Sequence, residues 1–206
     1  MFYTYSRSAW LGLILAFGLL VYWSLKKPES RALFAIWLIA SSLIVASGVY
    51  VWRQNNVLEN TLFHTDETSQ ATISSNEART QAITDGLQSA TSHPLGNGPG
   101  TAGPASVRNA YSKSKISENY YLQITQEVGF MGLAVFLGIQ VLVAIELWRA
   151  KNNTLLPLVL VATAAGLFVV NMLSHAWTDD TLSIIWWGLA GTATVPDILK
   201  QKAKHV

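Results

Sequence analysis

The chain has 206 residues, of which 50% are apolar and only 13% are charged. A soluble domain normally has about a quarter charged residues, so this composition excludes intrinsic disorder and argues strongly against a water-soluble globule. The formal net charge of +2 is too small to suggest a nucleic-acid partner, and the lack of cysteine excludes a disulfide framework or a thiolate metal site. We therefore predict a membrane protein with several spans.

Five uncharged, apolar stretches predict an all-α, polytopic fold with about five transmembrane helices in a single membrane domain over residues 1–206. The first four are long enough to cross the hydrocarbon core of a bilayer as helices. The fifth is the shortest, but its Trp186 and Trp187 suit a membrane interface. The predicted spans are residues 8–25, 32–52, 128–147, 154–173 and 182–196.

Basic residues in the short connections determine the predicted orientation. They occur at three places that fall on one side if five spans alternate, and that side should be the cytoplasm. The long segment 53–127 is then extracytoplasmic, the N-terminus lies outside, and the C-terminus is cytoplasmic. Because the N-terminus lacks the pattern of a signal peptide, we expect the chain to be the C-terminal part of a larger architecture. The basic residues are Lys26, Lys27, Arg31, Arg149, Lys151, Lys200, Lys202 and Lys204.

The outer segment 53–127 is far longer than an ordinary connection, and such segments are usually functional or disordered. Ser74 and Glu77 have the spacing of a capping box, with Ser74 as the N-cap. Apolar residues then recur at helical spacing until His93 and Pro94, because proline disfavours a helical residue before it. This pattern predicts an amphipathic helix of about four turns against the membrane or the outer helix ends. Its apolar side consists of Ala78, Ala82, Ile83, Leu87 and Ala90.

A glycine-rich stretch, Leu95 to Pro104, follows the predicted helix. No strand precedes it and no Gly-Lys-Ser/Thr ends it, so its sequence context does not fit a nucleotide-binding loop. Two explanations stay open: a set of turns that need positive φ, and close backbone approach to a phosphate through successive N–H groups. Residues 117–133 then predict a helix that enters the membrane at an angle, in which Gly129 and Gly132 permit a bend or close packing.

Five short motifs follow one another along the chain in or beside the predicted outer regions. They are Tyr5-Ser6-Arg7-Ser8, Asn76-Glu77-Ala78-Arg79, His93-Pro94-Leu95-Gly96-Asn97-Gly98-Pro99-Gly100, Glu118-Asn119-Tyr120-Tyr121-Leu122 and Glu127-Val128-Gly129-Phe130-Met131-Gly132. In order and spacing these motifs resemble the C-terminal half of the bacterial O-antigen ligase and polysaccharide polymerase family. The resemblance extends from about Tyr5 to Gly191.

The resemblance implies a lipid-linked oligosaccharide glycosyltransferase in the bacterial plasma (inner) membrane. Such enzymes transfer or polymerise undecaprenyl-pyrophosphate-linked glycan at the outer face, onto a lipid or sugar acceptor, in cell-surface polysaccharide and lipopolysaccharide biosynthesis. They use no nucleotide sugar and no obligatory metal, so we expect no cofactor and no metal site. The expected partners are the donor, the acceptor, membrane lipids and a companion chain that supplies the N-terminal helices.

The resemblance also implies which residues act. The two functional arginines of the family match Arg7 and Arg79, which would bind the donor pyrophosphate because a guanidinium binds phosphate oxygens bidentately. The family has a histidine before an asparagine, whereas this chain has Glu118 before Asn119. Glu118 is therefore the candidate base, oriented by Asn119. The alternatives are an interface anchor for Arg7 and a solvated carboxylate at a helix N-terminus for Glu118.

Two further groups are candidates for the site. Arg108 opens a basic run before Glu118, which is either a solvated loop or a contact for lipid headgroups or donor phosphate. His175, near Asp179 and Asp180 in the short outer loop, is the second candidate base. With these carboxylates it could form an acid–base pair or a weak cation site, and the alternative is an anchor at the membrane interface.

A rival interpretation is a non-catalytic membrane subunit, or a truncated fragment, in an envelope or transport complex. Ion or proton transport predicts ionisable residues inside the spans. The span interiors contain only a few uncharged polar residues, which disfavours that coupling. The subunit interpretation stays open because five helices need not enclose a donor cavity by themselves.

Overall fold

The computed structural model describes residues 7–52, 75–109, 116–152 and 154–204, and within these ranges it contains six α-helices and no strand. The prediction of an all-α fold is confirmed for this part of the chain. The helices are α1 (Arg7–Ser24), α2 (Pro28–Trp52), α3 (Ser75–Ser92), α4 (Tyr120–Ala150), α5 (Leu155–Leu173) and α6 (Asp180–Lys204). Two short 3-10 turns, Pro104–Arg108 and Ala176–Thr178, lie in the connections.

Two helices in the described residues are long and apolar enough to cross a membrane, namely α4 with 31 residues and α5 with 19. This number is smaller than the five spans predicted. The apolar part of α1, Ser8–Ser24, is slightly too short. In α2 and in α6, only part of the helix has described side chains.

The chain forms two compact units, Met1–Leu20 with Gln81–Val206, and Val21–Thr80. In the first unit α4, α5 and α6 pack together. Their buried core consists of Leu147, Leu160, Trp177, Trp186 and Ala190. The indole Nε1 of Trp186 donates a hydrogen bond to the hydroxyl of Thr163 (3.1 Å), so the polar atom of this buried side chain has a partner.

Glycines bring α1 close to α5 in the same unit. A Cβ added at Gly12 would lie 2.9 Å from the carbonyl oxygen of Gly166, and one added at Gly166 would lie 3.0 Å from the Cβ of Ala16. Small residues allow helix backbones to approach in this way, which is common where helices pack inside membranes.

In the second unit, Arg31 stabilises the turn between α1 and α2. Its Nε donates to the carbonyl of Leu25 (2.8 Å), and its guanidinium lies 5.7 Å from the centre of the Tyr22 ring. Pro28 begins α2, as expected for a residue that is favourable in the first helical turn.

The helix predicted in the segment 53–127 is present as α3 (Ser75–Ser92), with Glu77 in its first turn. The predicted N-cap, Ser74, lies outside the described residues. The buried side of α3 agrees with the predicted one only in part, because Ala90 is buried as predicted and Gly86 is buried too, whereas Leu87 remains 58% exposed. The small residues allow close packing: a Cβ at Gly86 would lie 2.8 Å from a methyl group of Leu122.

Candidate functional site

The start of α4 meets the end of α5 at a junction that contains Glu118, Asn119 and His175. The side-chain Nδ2 of Asn119 donates to the carbonyl of Met172 (3.0 Å), and the backbone N–H of Tyr120 donates to the carbonyl of Ser174 (3.2 Å). We call residues 118–120 and 172–175 the α4–α5 junction. It brings the adjacent residues Glu118 and Asn119 together with His175, which is far from them in sequence.

Asn119 fixes the start of α4. Its Oδ1 accepts a hydrogen bond from the backbone N–H of Leu122 (2.9 Å), so it is the N-cap of the helix. The residue before it, Glu118, has a φ of 47°, which is uncommon for a residue other than glycine. Such a conformation costs about 1–3 kcal/mol and is found preferentially at functional sites.

His175 has an electrostatic environment suited to proton transfer. Burial lowers the pKa of its imidazole below the ordinary value of 6.5, and the negative charge of Glu118 opposes this shift in part. The Nε2 atom of His175 is buried and has no hydrogen-bond partner among the described residues. At pH 7 the imidazole is therefore neutral, with a carboxylate near enough to influence its titration.

The other carboxylates of the short outer loop have a different role. The Oδ1 atom of Asp179 accepts from the backbone N–H of Leu182 (2.8 Å), which makes Asp179 a cap for α6. Asp180 is exposed in the first turn of the same helix. No group of three or more His, Cys, Asp or Glu residues within the described ranges could hold a metal ion. Asp179 therefore caps a helix, whereas the charge that acts on the pKa of His175 is that of Glu118.

The predicted phosphate-binding arginines lie in three separate segments. Arg7 is the first residue of α1, and its side chain is outside the described part of the chain. Arg79 is exposed, is the fifth residue of α3 and belongs to the unit Val21–Thr80. Arg108 is exposed at the end of the 3-10 turn Pro104–Arg108. The two lysines predicted to extend the basic run, Lys113 and Lys115, lie outside the described residues.

The glycine-rich stretch packs on a kink in α4. At the kink Gly129 has φ 74° and ψ −178°, a conformation that is not helical. The backbone N–H groups of Asn97 and Gly98 donate to the carbonyls of Gln126 (2.8 Å) and Glu127 (2.9 Å). The bend predicted for this helix therefore has a structural role, because it frees carbonyl groups that accept hydrogen bonds from the backbone of the loop.

The carboxylate of Glu127 organises the rest of this loop. Its Oε1 accepts from the backbone N–H groups of Gly100 (3.2 Å) and Ala102 (3.4 Å). These N–H groups already bind an anion of the protein itself, so the explanation as turns is favoured over a phosphate cradle. The sequence pattern does not predict this role, although Glu127 is the last charged residue before a long apolar run. The glycines with positive φ are Gly96, Gly98, Gly100 and Gly103.

A cavity of about 540 Å³ lies between α3 and the segment that leads into α4. It is lined by Asp85 and His93 on one side and by Ser117 and Gln126 on the other. No chemistry is predicted for these residues from sequence. Asp85, for example, has the position of an ordinary exposed residue in an amphipathic helix. Only the packing of α3 against residues 116–126 reveals that they face a common space.

Long apolar helices with a polar junction at one end define the class of this molecule, a helical membrane protein. A family model described as O-Antigen ligase matches residues 1–137, more than half of the chain, and the chain belongs to this family. The match includes Arg7, Arg79, Arg108, Glu118 and Asn119 and ends before His175, whereas the resemblance predicted from sequence extended to Gly191.

Family membership assigns the chain to the membrane proteins of cell-surface polysaccharide biosynthesis. No curated protein and no solved structure matches it.

Proposed function

We propose that the chain takes part in glycan transfer from an undecaprenyl-pyrophosphate donor to a lipid or sugar acceptor, at the outer face of the bacterial inner membrane. The observation that carries this proposal is the α4–α5 junction, where hydrogen bonds from Asn119 and Tyr120 to the carbonyls of Met172 and Ser174 join the segments that contain Glu118 and His175. A carboxylate and a neutral imidazole at one end of an apolar helix are suited to remove a proton from an acceptor hydroxyl.

The reaction requires one bond to form and one to break. The acceptor oxygen attacks the anomeric carbon of the donor sugar, and the bond from that carbon to the pyrophosphate oxygen breaks. The electron pair leaves with the lipid pyrophosphate, and the hydroxyl proton passes to Glu118, with His175 beside it as the second proton acceptor. Asn119 is a positioning residue, because both ends of its amide are bound to the backbone around the junction.

The pyrophosphate that leaves carries the negative charge that the enzyme has to stabilise. Arg7, Arg79 and Arg108 are the proposed ligands for this charge, since an arginine side chain remains protonated and can bind two phosphate oxygens at once. The family match covers all three positions.

The topology proposed for this function has five spans, formed by α1, α2, α4, α5 and α6. From Phe130 to Ala150, the part of α4 beyond its kink is about 31 Å long at 1.5 Å per residue, which is about the thickness of the hydrocarbon core. The ion pair between Arg149 and Glu146 lies at the end remote from the junction. This separation supports a cytoplasmic basic turn and an outer site.

Transfer measured in membranes from cells that express the full chain tests the proposal. Labelled glycan on the lipid-linked donor is followed as it moves to the acceptor. Glu118→Gln should reduce the rate by about 100-fold or more, the usual contribution of a general base. Arg79→Lys should also reduce the rate, because lysine keeps the charge but loses the bidentate geometry.

Two variants at the far end of α4 are matched controls. Glu146→Gln and Arg149→Lys make the same chemical changes away from the junction, and they should leave transfer within about twofold of the wild type. The proposal is wrong if Glu118→Gln and Arg79→Lys are as active as these controls. A correctly inserted wild-type chain that transfers no glycan, with its companion chain present, would instead favour the non-catalytic subunit.

A further inference from the structure

The cavity between α3 and residues 116–126 has the properties of a binding site. Its volume of about 540 Å³ is within the range typical of small-molecule pockets. Its side chains include a carboxylate, an imidazole, amides and hydroxyls. The principal polar residues are Asp85, Gln88, Ser89, His93, Ser117 and Gln126.

Hydrogen bonds and close packing hold the walls of this cavity in place. The hydroxyl of Ser117 donates to the side-chain oxygen of the fully buried Gln126 (3.0 Å). The amide of Asn97 donates to the hydroxyl of Ser89 (3.4 Å) and to the carbonyl of Gln126 (3.3 Å), which connects the glycine-rich loop to both walls. A site whose groups are fixed in advance loses less entropy when a ligand binds.

The charge of the described lining residues is unfavourable for an anion. None of these residues is Lys or Arg, and Asp85 is the one carboxylate among them. A pyrophosphate would be repelled by this carboxylate, whereas an uncharged molecule with many hydroxyl groups can donate to it and exchange hydrogen bonds with the amides and hydroxyls.

The cavity is also next to the proposed base. Ser117 lines it, and Glu118 is the following residue, so their Cα atoms are about 3.8 Å apart. We infer that this cavity binds an uncharged saccharide unit of the glycan substrates through Asp85 and His93, beside the junction where the acceptor hydroxyl is deprotonated. The inference rests on the proposed function and adds a sugar-binding subsite distinct from the arginines.

Binding is measured by NMR on the full chain in detergent micelles, with the isoleucine δ1-methyl groups labelled. Ile116 lines the cavity, and Ile139 lies in the apolar part of α4 as an internal reference. Three probes are titrated separately: the glycan released by mild acid from the lipid-linked donor, the lipid-free saccharide of the acceptor, and inorganic pyrophosphate. One of the saccharides should shift the Ile116 signal saturably, and this identifies which substrate the cavity binds.

Substitutions show whether the proposed side chains cause the binding. Asp85→Ala and His93→Ala should each raise the Kd for that saccharide by about 10- to 100-fold, the effect of losing a hydrogen bond to a charged or strongly polar group. Both residues are exposed, so both variants should keep the wild-type melting temperature. Gln81→Ala, an exposed residue of α3 outside the cavity lining, is the control and should change the Kd by less than about twofold.

The inference is overturned if neither saccharide shifts Ile116, if pyrophosphate alone shifts it, or if the Kd is unchanged in Asp85→Ala and His93→Ala. These results are independent of the transfer assay. Active membranes combined with no saccharide binding would reject the cavity and retain the proposed function. Saccharide binding that requires Asp85, in a chain without transfer activity, would support the cavity and reject the proposed function.

Discussion

Replacing Gly129 with alanine should detach the glycine-rich loop from α4. At this position φ is 74° and ψ is −178°, a region that is essentially restricted to glycine. A Cβ at Gly129 would lie 2.6 Å from the carbonyl carbon and 2.7 Å from the Cα atom of Leu95. Because backbone atoms cannot move aside as a flexible side chain can, the loop has to shift.

The expected magnitude follows from the two ways in which the chain can respond. If the loop remains in place, alanine pays about 1–3 kcal/mol of backbone strain in addition to the overlap with Leu95. If the loop moves away, three backbone hydrogen bonds are lost, those that the N–H groups of Asn97, Gly98 and Phe130 donate. At about 0.5–1.5 kcal/mol each, either response gives a loss of about 2–4 kcal/mol.

Hydrogen–deuterium exchange and thermal melting can detect this loss in detergent-solubilised protein. The amides of Asn97 and Gly98 should exchange about 30- to 1,000-fold faster in Gly129→Ala than in the wild type, as a stability loss of about 2–4 kcal/mol implies. The Tm, followed by tryptophan fluorescence, should fall by about 5–15 °C for a chain of this size.

Gly138→Ala is the matched control on the same helix. Nothing lies within 4 Å of a Cβ at Gly138, and alanine is favoured over glycine in a helix by up to about 1 kcal/mol. The two substitutions are chemically identical and should have opposite signs. Equal exchange in both variants, or a higher Tm for Gly129→Ala than for the wild type, would refute the reasoning about the kink.

Three further predictions concern the first unit. Gly166→Val should lower the Tm, because overpacking costs about 1–3 kcal/mol where α1 approaches α5. At Gly188 nothing lies within 4 Å of an added Cβ, so Gly188→Val should change the Tm little. Similar Tm values for the two variants would contradict the close contact between α1 and α5. Asn171→Leu should lower the free energy of unfolding by about 1–3 kcal/mol, because it leaves the buried backbone N–H of Trp177 without its acceptor. A thermal melt measures this loss, and an unchanged Tm would mean that this hydrogen bond contributes nothing to stability. The pKa of His175 is lower in the folded protein than in the unfolded chain, so the unfolded chain binds a proton more readily and stability falls as pH decreases below 6.5. Between pH 7.5 and 5, the Tm of His175→Gln should therefore fall by less than the Tm of the wild type. Equal decreases in Tm would exclude this contribution of His175.

The helices could be predicted well from sequence because their signals are local. Long apolar runs specify α4 and α5, and the proline after His93 marks the end of α3. The number of spans was harder to predict, since the first apolar helix has a length close to the limit for crossing a membrane. The exposure of Leu87 was also not predictable, because it depends on which face of α3 meets the segment before α4.

Less of the candidate site than of the helices could be predicted from the sequence. Glu118, Asn119 and His175 were selected individually from residue type and motif, but their proximity depends on the contact between the start of α4 and the end of α5. No pattern within either segment specifies that contact. Asp85 and Glu127 were not selected at all, because a carboxylate in a loop or on an exposed helix has no local mark that separates a solvated residue from one with a role.

The sequence by itself determined that this protein is helical and membrane-associated, and it indicated the family to which the chain belongs. These properties depend on composition, on hydropathy over about 20 residues and on short motifs, all of which can be evaluated along the chain. Only the tertiary structure decided that the glycine-rich loop binds the carboxylate of Glu127, that Glu118 and His175 belong to one junction between α4 and α5, and that α3 borders a polar cavity. Each of these depends on hydrogen bonds and packing between segments distant in sequence, where local preference carries no information about the partner.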